Sequence, residues 1–316
     1  MKKRVPMIRL SSLVLSTLVL FACTSTYQKS TISSNTASQP SSVEATNKSR
    51  ADKEKWLSWQ ADYDKSRRST TGWLSLVGLY WLKEGNNTIG SSRENDHRLP
   101  NGMLEKFGSI EVKDDKVTLT SYSDEILIDD QNVSTQVLEV NKTKVSYKNF
   151  VFYIIKREIG YAIRLQDTHS TRVEEYPGTS FYPYSNDAAV VAKLVPHKTP
   201  KKLMISTVYG TVRENDSAGI LEFQYKGKKH SLEAVSYGKD SPMTLMFVDE
   251  TGQETTYGAG RYLEVEWPKE GDITTVDFNY AYNPPCAITT FATCPLPPRQ
   301  NRLDVEIDAG ELFSAH

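Results

Sequence analysis

Four polar residues have side chains that could together perform hydrolytic chemistry: Asp167, His169, Arg261 and Asp277. His169 follows a predicted strand, where binding loops often emerge, and an imidazole beside a carboxylate can transfer protons. Arginine presents a planar fork to carboxylates, so Arg261 could pair with Asp277 or receive an anionic ligand. The sequence contains no Gly-x-Ser-x-Gly, His-Glu-x-x-His or Gly-x-x-x-x-Gly-Lys motif. No residue can therefore be assigned a catalytic role, and a hydrolase with an unrecognised site is only one hypothesis.

A second group of residues is suited to binding. The segment 176–184 carries four aromatic rings and two prolines in nine residues, and a half-buried tyrosine combines an apolar ring with a polar hydroxyl. We expect this segment and residues 277–283 to line a cleft for a small molecule or a peptide. The alternative is that both are irregular loops packed over the core. The residues expected to contact the ligand are Tyr176, Phe181, Tyr182, Tyr184, Arg261, Asp277, Asn279, Tyr282 and Asn283.

The first 22 residues have the pattern of a secretory signal peptide. Four basic residues lie within residues 2–9, and residues 10–22 form an apolar stretch that is shorter than the roughly 20 residues needed to span a bilayer. The stretch ends at Cys23 in a sequence that resembles the bacterial lipobox. The resemblance implies cleavage before Cys23 and lipid, palmitate included, on that cysteine, which would tether the chain to a membrane. Thr24, where an inner-membrane signal has aspartate, favours the periplasmic face of the outer membrane in a Gram-negative cell.

The other two cysteines, Cys286 and Cys294, lie in a proline-rich stretch. An even pair in an exported chain favours a disulfide, and a loop this short gives roughly 2.5 kcal/mol of stabilisation in the chain-entropy model. Free thiols are the alternative. A metal site is disfavoured because zinc takes four ligands and no histidine lies near the pair in sequence. We expect no metal and no cofactor.

The organisation of the chain follows from composition and periodicity. Loss of the four basic leader residues changes the formal net charge from −1 to −5, which argues against a nucleic-acid partner. Trp56, Trp59 and Tyr63 recur at helical spacing, and short alternating segments separated by turn residues follow them. We predict a mostly β chain: two packed antiparallel β modules, the first sandwich-like, with one N-terminal amphipathic helix. The predicted segments are a signal peptide at 1–22, a disordered Ser/Thr-rich tether at 23–50, a helix at 51–71, a sandwich-like β module at 72–140, and a second β module with a Pro/Cys-rich C-terminal loop at 141–316.

The C-terminal part of the chain closely resembles domain-of-unknown-function family 1684. The segments that carry the resemblance are residues 277–279, 281–287, 292–298, 301–303 and 309–311, with 255–263, 182–183 and 72–82 upstream. Tyr280 departs from the family, which usually has arginine there. The resemblance covers about residues 51–312 and implies a shared fold without a named activity.

Residues 85–120 resemble, more weakly, the start of a forkhead-associated sandwich. The Ser-Arg-x-His element that such domains place near phosphothreonine is missing, so the resemblance implies a sandwich-like module without phosphopeptide binding. Three functional hypotheses remain, and none of them determines the oligomeric state. They are a membrane-tethered cell-envelope lipoprotein that binds a ligand or acts as a scaffold, an envelope hydrolase, and a purely structural lipoprotein.

Overall fold

The computed structural model describes residues 42–252 and 254–313, with side chains described from residue 48 onward. The predicted signal peptide, Cys23 and most of the predicted tether lie outside the described residues. Within the described residues, no helix is long and apolar enough to cross a membrane.

The described chain consists mainly of strands. Two α-helices are present, α1 (Ser42–Arg67) and α2 (Thr171–Glu174), with four short 3-10 helices at Trp73–Ser75, Asn186–Ala188, Phe278–Tyr280 and Pro285–Ala287. The strands are β1 (Leu76–Trp81), β2 (Gly85–Gly90), β3 (His97–Arg98), β4 (Gly108–Lys113), β5 (Lys116–Ser121), β6 (Leu127–Ile128), β7 (Thr135–Val137), β8 (Val145–Tyr147), β9 (Phe150–Arg157), β10 (Gly160–Asp167), β11 (Ala189–Val195), β12 (Lys202–Ser206), β13 (Val212–Tyr225), β14 (Lys228–Ser236), β15 (Met243–Phe247), β16 (Arg261–Val265) and β17 (Ile273–Asp277).

These strands form three sheets. The first has the order β1-β10-β9-β8-β6, and the second has the order β3-β2-β4-β5-β7. The third has the order β16-β15-β14-β13-β11-β17, with β12 paired to β13. Neighbouring strands run antiparallel, apart from the short parallel pair β2 and β3. The prediction of a mostly β chain with antiparallel sheets is confirmed.

Side chains from the first and second sheets meet in one apolar cluster. Ile89 and Leu119 enter it from the second sheet, and Phe152 and Ile163 enter it from the β9–β10 hairpin. The sequence analysis assigned this hairpin to the second module. The hairpin contributes to the first core because alternate side chains of a strand point to opposite faces, so one face of β9 and β10 fills this cluster. The domain boundary at residue 140 stays a prediction.

The third sheet encloses a second cluster together with the chain that follows β17. Phe247, Leu263 and Phe278 are fully buried there, and Ile307 and Ala309 cover them from the C-terminal segment. This segment has little regular structure, so its backbone groups need specific partners. Ala281 supplies one, since its carbonyl accepts from the Glu311 N–H at 2.8 Å.

Helix α1 packs against the C-terminal segment through its aromatic face. Trp56 is buried, and its indole N–H donates to the Asn279 carbonyl at 2.9 Å. The Trp59 ring lies 5.0 Å from the ring of Tyr280, the residue that departs from the resembled family. One turn further, Tyr63 and Arg67 continue the same face, because residues three or four apart share one side of a helix.

Candidate ligand-binding cleft

The last turn of α1 places a buried ion pair against the C-terminal segment. Arg67 Nη2 lies 3.2 Å from Glu311 Oε1, and the two side chains are 6% and 5% exposed. Glu311 Oε2 also accepts from the Tyr63 hydroxyl at 2.8 Å and from the Asn283 N–H at 2.7 Å. Arg67 contacts the Tyr63 hydroxyl and donates to the Asn283 carbonyl at 3.2 Å. The pair is thus electrically balanced, and Tyr63 and Asn283 each bond to both of its members.

Burial is the main electrostatic influence on this cluster. It raises the pKa of Glu311, while Arg67, the Asn283 N–H and the Tyr63 hydroxyl act in the opposite direction. Burial and the neighbouring Glu311 also raise the pKa of Tyr63 far above its usual value, so this phenol stays protonated. A protonated Tyr63 can keep donating its hydrogen bond to Glu311.

Two adjoining cavities open beside the ion pair. The inner chamber has a volume of about 120 Å³ and is lined by Arg67, Asn283 and Glu311, by residues 176–180, and by residues 287, 288, 312 and 313. The outer chamber has a volume of about 520 Å³ and is lined by Leu74, Arg172 and Glu175, together with residues 176, 177, 287, 288 and 313. Because the chambers share five lining residues, they form one cleft with a narrow polar end and a wider mouth.

Two polar atoms of the inner chamber's residues have no hydrogen-bond partner. Arg67 Nη1 and Asn283 Oδ1 are buried, and no described residue bonds to either of them. Asn283 is oriented by its other side-chain atom, since Nδ2 donates to the Leu312 carbonyl at 3.0 Å. Buried polar groups in folded proteins are nearly always satisfied by protein, water or a ligand. Both residues line the inner chamber, so its polar end includes two buried side chains whose hydrogen-bonding capacity is not fully used.

The segment 176–184, part of which lines the inner chamber, is hydrogen-bonded to α1. The Thr179 N–H and hydroxyl donate to Asp64 Oδ1 at 2.8 and 2.9 Å, and Arg68 Nη1 donates to the Tyr176 carbonyl at 2.8 Å. Burial acts to raise the pKa of Asp64, but the two Thr179 hydrogen bonds and Arg68 outweigh it and lower that pKa. Gly178 has a φ of +103°, a conformation that favours glycine. The segment therefore has a defined position relative to the ion pair.

The predicted ligand residues divide into two groups. Tyr176 and Asn283 line the cleft. Phe181 and Tyr184 instead pack on the aromatic face of α1, with ring centroids 6.2 and 5.5 Å from that of Trp56. Tyr182 shares a hydrogen bond between its hydroxyl and that of Thr255. Phe181 and Tyr184 thus join the loop to helix α1, and Tyr182 joins it to the segment before β16.

Arg261 is a structural residue in the core. It is 1% exposed, and its Nη2 lies 3.0 Å from Asp249 Oδ1. Its guanidinium also donates to the carbonyls of Ala309 and Ile307. The suggested pair between Arg261 and Asp277 is not formed, because the nearer carboxylate of Asp249 neutralises the guanidinium.

The remaining predicted residues make hydrogen bonds to other parts of the protein. Asp277 accepts from the Asn279 N–H at 3.0 Å and caps the 3-10 helix that follows, and burial raises its pKa. The Asn279 side chain donates to the Ser185 carbonyl at 2.8 Å. The Tyr282 hydroxyl donates to Glu264 Oε1 at 3.0 Å. Asn279 and Tyr282 thus make structural contacts, and neither lines the cleft described above.

The residues considered for hydrolysis are engaged separately. The side chain of His169 is exposed, and its backbone N–H donates to Asp167 Oδ1 at 2.9 Å. Asp167 also accepts from Asn149 Nδ2 at 2.6 Å. Since Arg261 is bound to Asp249 and Asp277 caps a helix, the four predicted residues do not form one hydrogen-bonded site. Among the described residues there is no cluster of three or more His, Cys, Asp or Glu that could hold a metal ion.

The two C-terminal cysteines are free thiols in contact with each other. The Cys286 N–H donates to Cys294 Sγ at 3.2 Å, and the Tyr257 hydroxyl lies 3.8 Å from Cys286 Sγ. A hydrogen bond from Cys294 lowers the pKa of Cys286 to about 7, and the pKa of Cys294 rises. The expected disulfide is not formed in this structure and stays a proposal. Residues 287 and 288, which follow Cys286, line both chambers.

Sequence reasoning missed the central residues of the cleft. Arg67 follows Trp56 by eleven residues and Tyr63 by four, so its position on the aromatic face of α1 was a usable signal.

Sequence reasoning also missed Glu233, which lies outside the cleft. Glu233 is 3% exposed and bonds His197 Nε2 at 2.6 Å and Lys201 Nζ at 2.7 Å. These bonds and one from Ser217 lower the pKa of Glu233, although burial acts to raise it.

Comparison with known proteins gives a family-model match over part of the chain but no activity. An uncharacterized protein of Haloarcula marismortui, solved by NMR, is 29% identical with a TM-score of 0.39, and the match covers 45% of this chain and 80% of that chain. Two forkhead-associated domain structures, one from a study of phosphothreonine-dependent interactions, are 17% and 18% identical with TM-scores of 0.21 and 0.20. Their matches cover 27% of this chain and 76% and 79% of theirs.

The comparison with curated proteins finds no match. Residues 174–312 match the family model described as Protein of unknown function (DUF1684). The matched range contains most of the cleft, including Tyr176, Asn283 and Glu311, whereas Arg67 lies outside it. The expected resemblance to the DUF1684 family is confirmed over this range.

Proposed function

We propose that this protein is a membrane-tethered lipoprotein of the cell envelope that binds a small molecule in the cleft between α1 and the C-terminal segment. The observation that carries the proposal is the cleft itself, whose narrow end is lined by the buried side chains of Arg67, Asn283 and Glu311.

The size and form of the cleft support a ligand larger than water. The outer chamber of about 520 Å³ falls within the roughly 300–1,000 Å³ typical of small-molecule sites. Its wall includes Leu74, Tyr176, Ile288 and Phe313, which suit an apolar body, while the inner chamber suits a polar group. Ligand sites commonly combine an apolar lining with a few polar atoms that orient the ligand.

The proposed architecture consists of two β modules and one helix. The first and second sheets form the sandwich-like module, the third sheet forms the second module, and the amphipathic helix α1 completes the cleft. Contacts between the modules include a hydrogen bond from Arg157 to Thr293 at 2.9 Å and an ion pair between Arg213 and Glu158 at 2.7 Å.

Native mass spectrometry of the lipidated protein tests the binding function. The protein is purified from its membrane fraction in mild detergent, and we expect a retained non-protein mass. Ala287→Phe should abolish that mass, because residue 287 lines both chambers and a larger ring would fill them. Met204→Phe is the matched control, since Met204 is 66% exposed in β12 of the third sheet. A bare wild-type chain, or a mass that survives Ala287→Phe, contradicts the binding function and favours a purely structural lipoprotein.

Replacement of Cys23 tests the anchor independently. Cys23→Ala should move the protein from the membrane fraction to the soluble fraction and abolish labelling by palmitate, because that cysteine is the proposed lipid acceptor. Cys294→Ser, which changes a cysteine far from the leader, is the control and should stay in the membrane fraction. Membrane association that persists without Cys23 would refute the lipoprotein proposal while leaving the cleft unaffected.

A further inference from the structure

The thiol pair adjoins the wall of the cleft. Cys286 belongs to the 3-10 helix Pro285–Ala287, and the next two residues of the chain, Ala287 and Ile288, line both chambers. We infer, resting on the proposed binding function, that Cys286 is a modification site that regulates the cleft. It reacts with a low-molecular-weight disulfide, Cys294 completes the exchange, and the resulting bridge weakens binding in the cleft.

The two thiols are unequal, which sets the order of reaction. Cys286 is partly exposed, whereas Cys294 is buried, so a disulfide from solution meets Cys286 first. The hydrogen bond from the Cys294 thiol lowers the pKa of Cys286 to about 7, and the Tyr257 hydroxyl acts in the same direction. The hydrogen bond between the thiols and burial raise the pKa of Cys294. Because a thiolate is the attacking form, Cys286 is the nucleophile and Cys294 is the resolving thiol.

The exchange consists of two steps. The Cys286 thiolate attacks one sulfur of the disulfide RSSR, which forms a bond from Cys286 to SR, breaks the S–S bond of the reagent and releases RS⁻. The Cys294 thiol gives its proton to RS⁻, and its sulfur attacks Cys286 and expels the second RS⁻, which takes a proton from solvent. Two cysteine thiols are thus oxidised to one disulfide, and RSSR is reduced to two RSH. The resolving sulfur is already close, since Cys294 Sγ accepts from the Cys286 N–H at 3.2 Å.

The chain around Cys294 is held by backbone pairing. Its carbonyl accepts from the Val208 N–H at 3.0 Å, and the residue after Cys294 forms an isolated β-bridge with Thr207. The Cys286 carbonyl accepts instead from a side chain, the Tyr257 hydroxyl, at 3.4 Å. A disulfide brings its two sulfurs to about 2.0 Å, closer than a hydrogen bond between thiols does. The displacement on oxidation therefore falls on the turn that contains Cys286.

Two connections carry that displacement into the cleft. Residues 287 and 288 belong to the same turn, since their N–H groups donate to carbonyls three residues earlier, at 2.9 and 3.0 Å. The Tyr257 hydroxyl lies 3.8 Å from Cys286 Sγ, and its ring centroid lies 5.0 Å from that of Phe313, which lines both chambers. The cleft described above is that of the dithiol form, so a displaced wall fits an occupant less well. Because coupling between two sites is reciprocal, an occupied cleft also disfavours the disulfide.

Glutathione disulfide tests the order of reaction in the full lipidated protein. Cys294→Ser should acquire one glutathione on Cys286, located by peptide mass mapping, and Cys286→Ser should acquire none. The wild-type protein should lose two hydrogens and keep no glutathione. If Cys294→Ser does not fold, an acid quench of the wild-type reaction at early times traps the same mixed disulfide. Glutathione found on Cys294 instead, or a Cys286 that stays unmodified, overturns the inference.

Hydrogen–deuterium exchange and native mass spectrometry of the dithiol and disulfide forms test control of the cleft. Oxidation should change the exchange of residues 286–289 and 312–313, while strand β5 of the second sheet serves as the unchanged internal reference. The fraction of chains that carry the retained mass should fall at least about fivefold, the lower end of typical coupling between two sites.

The outcomes separate this inference from the proposed function. Unchanged exchange at residues 286–289 and 312–313 overturns the inference. Equal retention of the mass by both forms overturns it as well and leaves the proposed function standing. If neither form retains a mass while the exchange of the cleft wall changes, the binding function fails and the link between the thiol pair and the wall stands.

Discussion

Replacing Arg67 by methionine should lower the free energy of unfolding by about 3–5 kcal/mol at neutral pH, the range found when one partner of a buried ion pair is removed. The two side chains are 6% and 5% exposed, so solvent cannot replace the lost partner. Methionine retains much of the apolar stem of arginine, which limits the loss of packing. The loss should come mainly from the uncompensated carboxylate of Glu311.

The pH dependence of this variant separates charge from packing. Burial raises the pKa of Glu311 in the folded protein, and Arg67 is a group that lowers it, so Arg67→Met should raise that pKa further. A carboxyl group whose pKa is raised by folding favours the folded state when it is protonated. The deficit of Arg67→Met should therefore be smallest below the unfolded pKa of glutamate, about 4.3, and should grow as the pH rises through the folded pKa.

Urea denaturation of Arg67→Met, Glu311→Gln and the double variant measures the pair directly. The sum of the two single losses of unfolding free energy should exceed the loss in the double variant by a coupling energy of about 2 kcal/mol. Lys142→Met is the control, because Lys142 and its partner Glu139 are 77% and 65% exposed and such pairs contribute about 0–1 kcal/mol. A loss below about 1 kcal/mol for Arg67→Met, or a deficit that does not change with pH, would refute the reasoning.

Three further predictions concern backbone strain, acid stability and the thiol pair. Gly310→Ala should lower the melting temperature more than Gly227→Ala does, with a stability difference of about 1–3 kcal/mol. Both glycines have positive φ, +83° and +75°, but only at Gly310 would the new Cβ meet a backbone oxygen, at 2.6 Å. Equal melting temperatures of the two variants would contradict this. The wild-type protein should lose stability as the pH falls below about 4.3, the unfolded pKa of glutamate, because hydrogen bonds lower the pKa of Glu233. In melts over the same pH range, Glu233→Gln should lose less stability than the wild-type protein as the pH falls. An identical pH profile for both proteins argues against this contribution of Glu233. Treatment with a small-molecule disulfide should join Cys286 and Cys294, lower the intact mass by two hydrogens and raise the unfolding free energy by roughly 2.5 kcal/mol; an unchanged mass shows that the thiols cannot be bridged.

The strands were predictable from the sequence because their side chains alternate. The hairpin of β9 and β10 turns through residues 158–160, as its apolar runs and its glycine predicted. The partner strands were harder to predict, because alternation defines the faces of a strand but not its neighbours. Strand β1 pairs with β10, so that Leu79 lies opposite Arg164, and nothing in either segment specifies this pairing. The division into sheets therefore required the structure.

The cleft was only partly predictable for a related reason. Tyr176 and Asn283 stood out because they lie in unusual aromatic and proline-rich segments. Arg67 did not, because basic residues near the end of a helix are usually exposed, and its burial depends on a distant carboxylate. Glu311 belongs to the segment that resembles the DUF1684 family, but nothing nearby in sequence indicates its partner. Local patterns identify candidate residues, whereas a buried ion pair is defined by two segments together.

The hydrogen bond between Arg67 and Glu311 joins residues separated by 244 positions, which has a kinetic consequence. Contacts between such distant segments carry a large loop-closure entropy, and chains dominated by them fold slowly. A partly folded intermediate that lacks this contact also lacks the inner chamber, so a cleft ligand binds the completed fold alone. Such a ligand stabilises the folded state by mass action. It should slow unfolding while leaving the folding rate unchanged, because the chamber is absent from any earlier transition state.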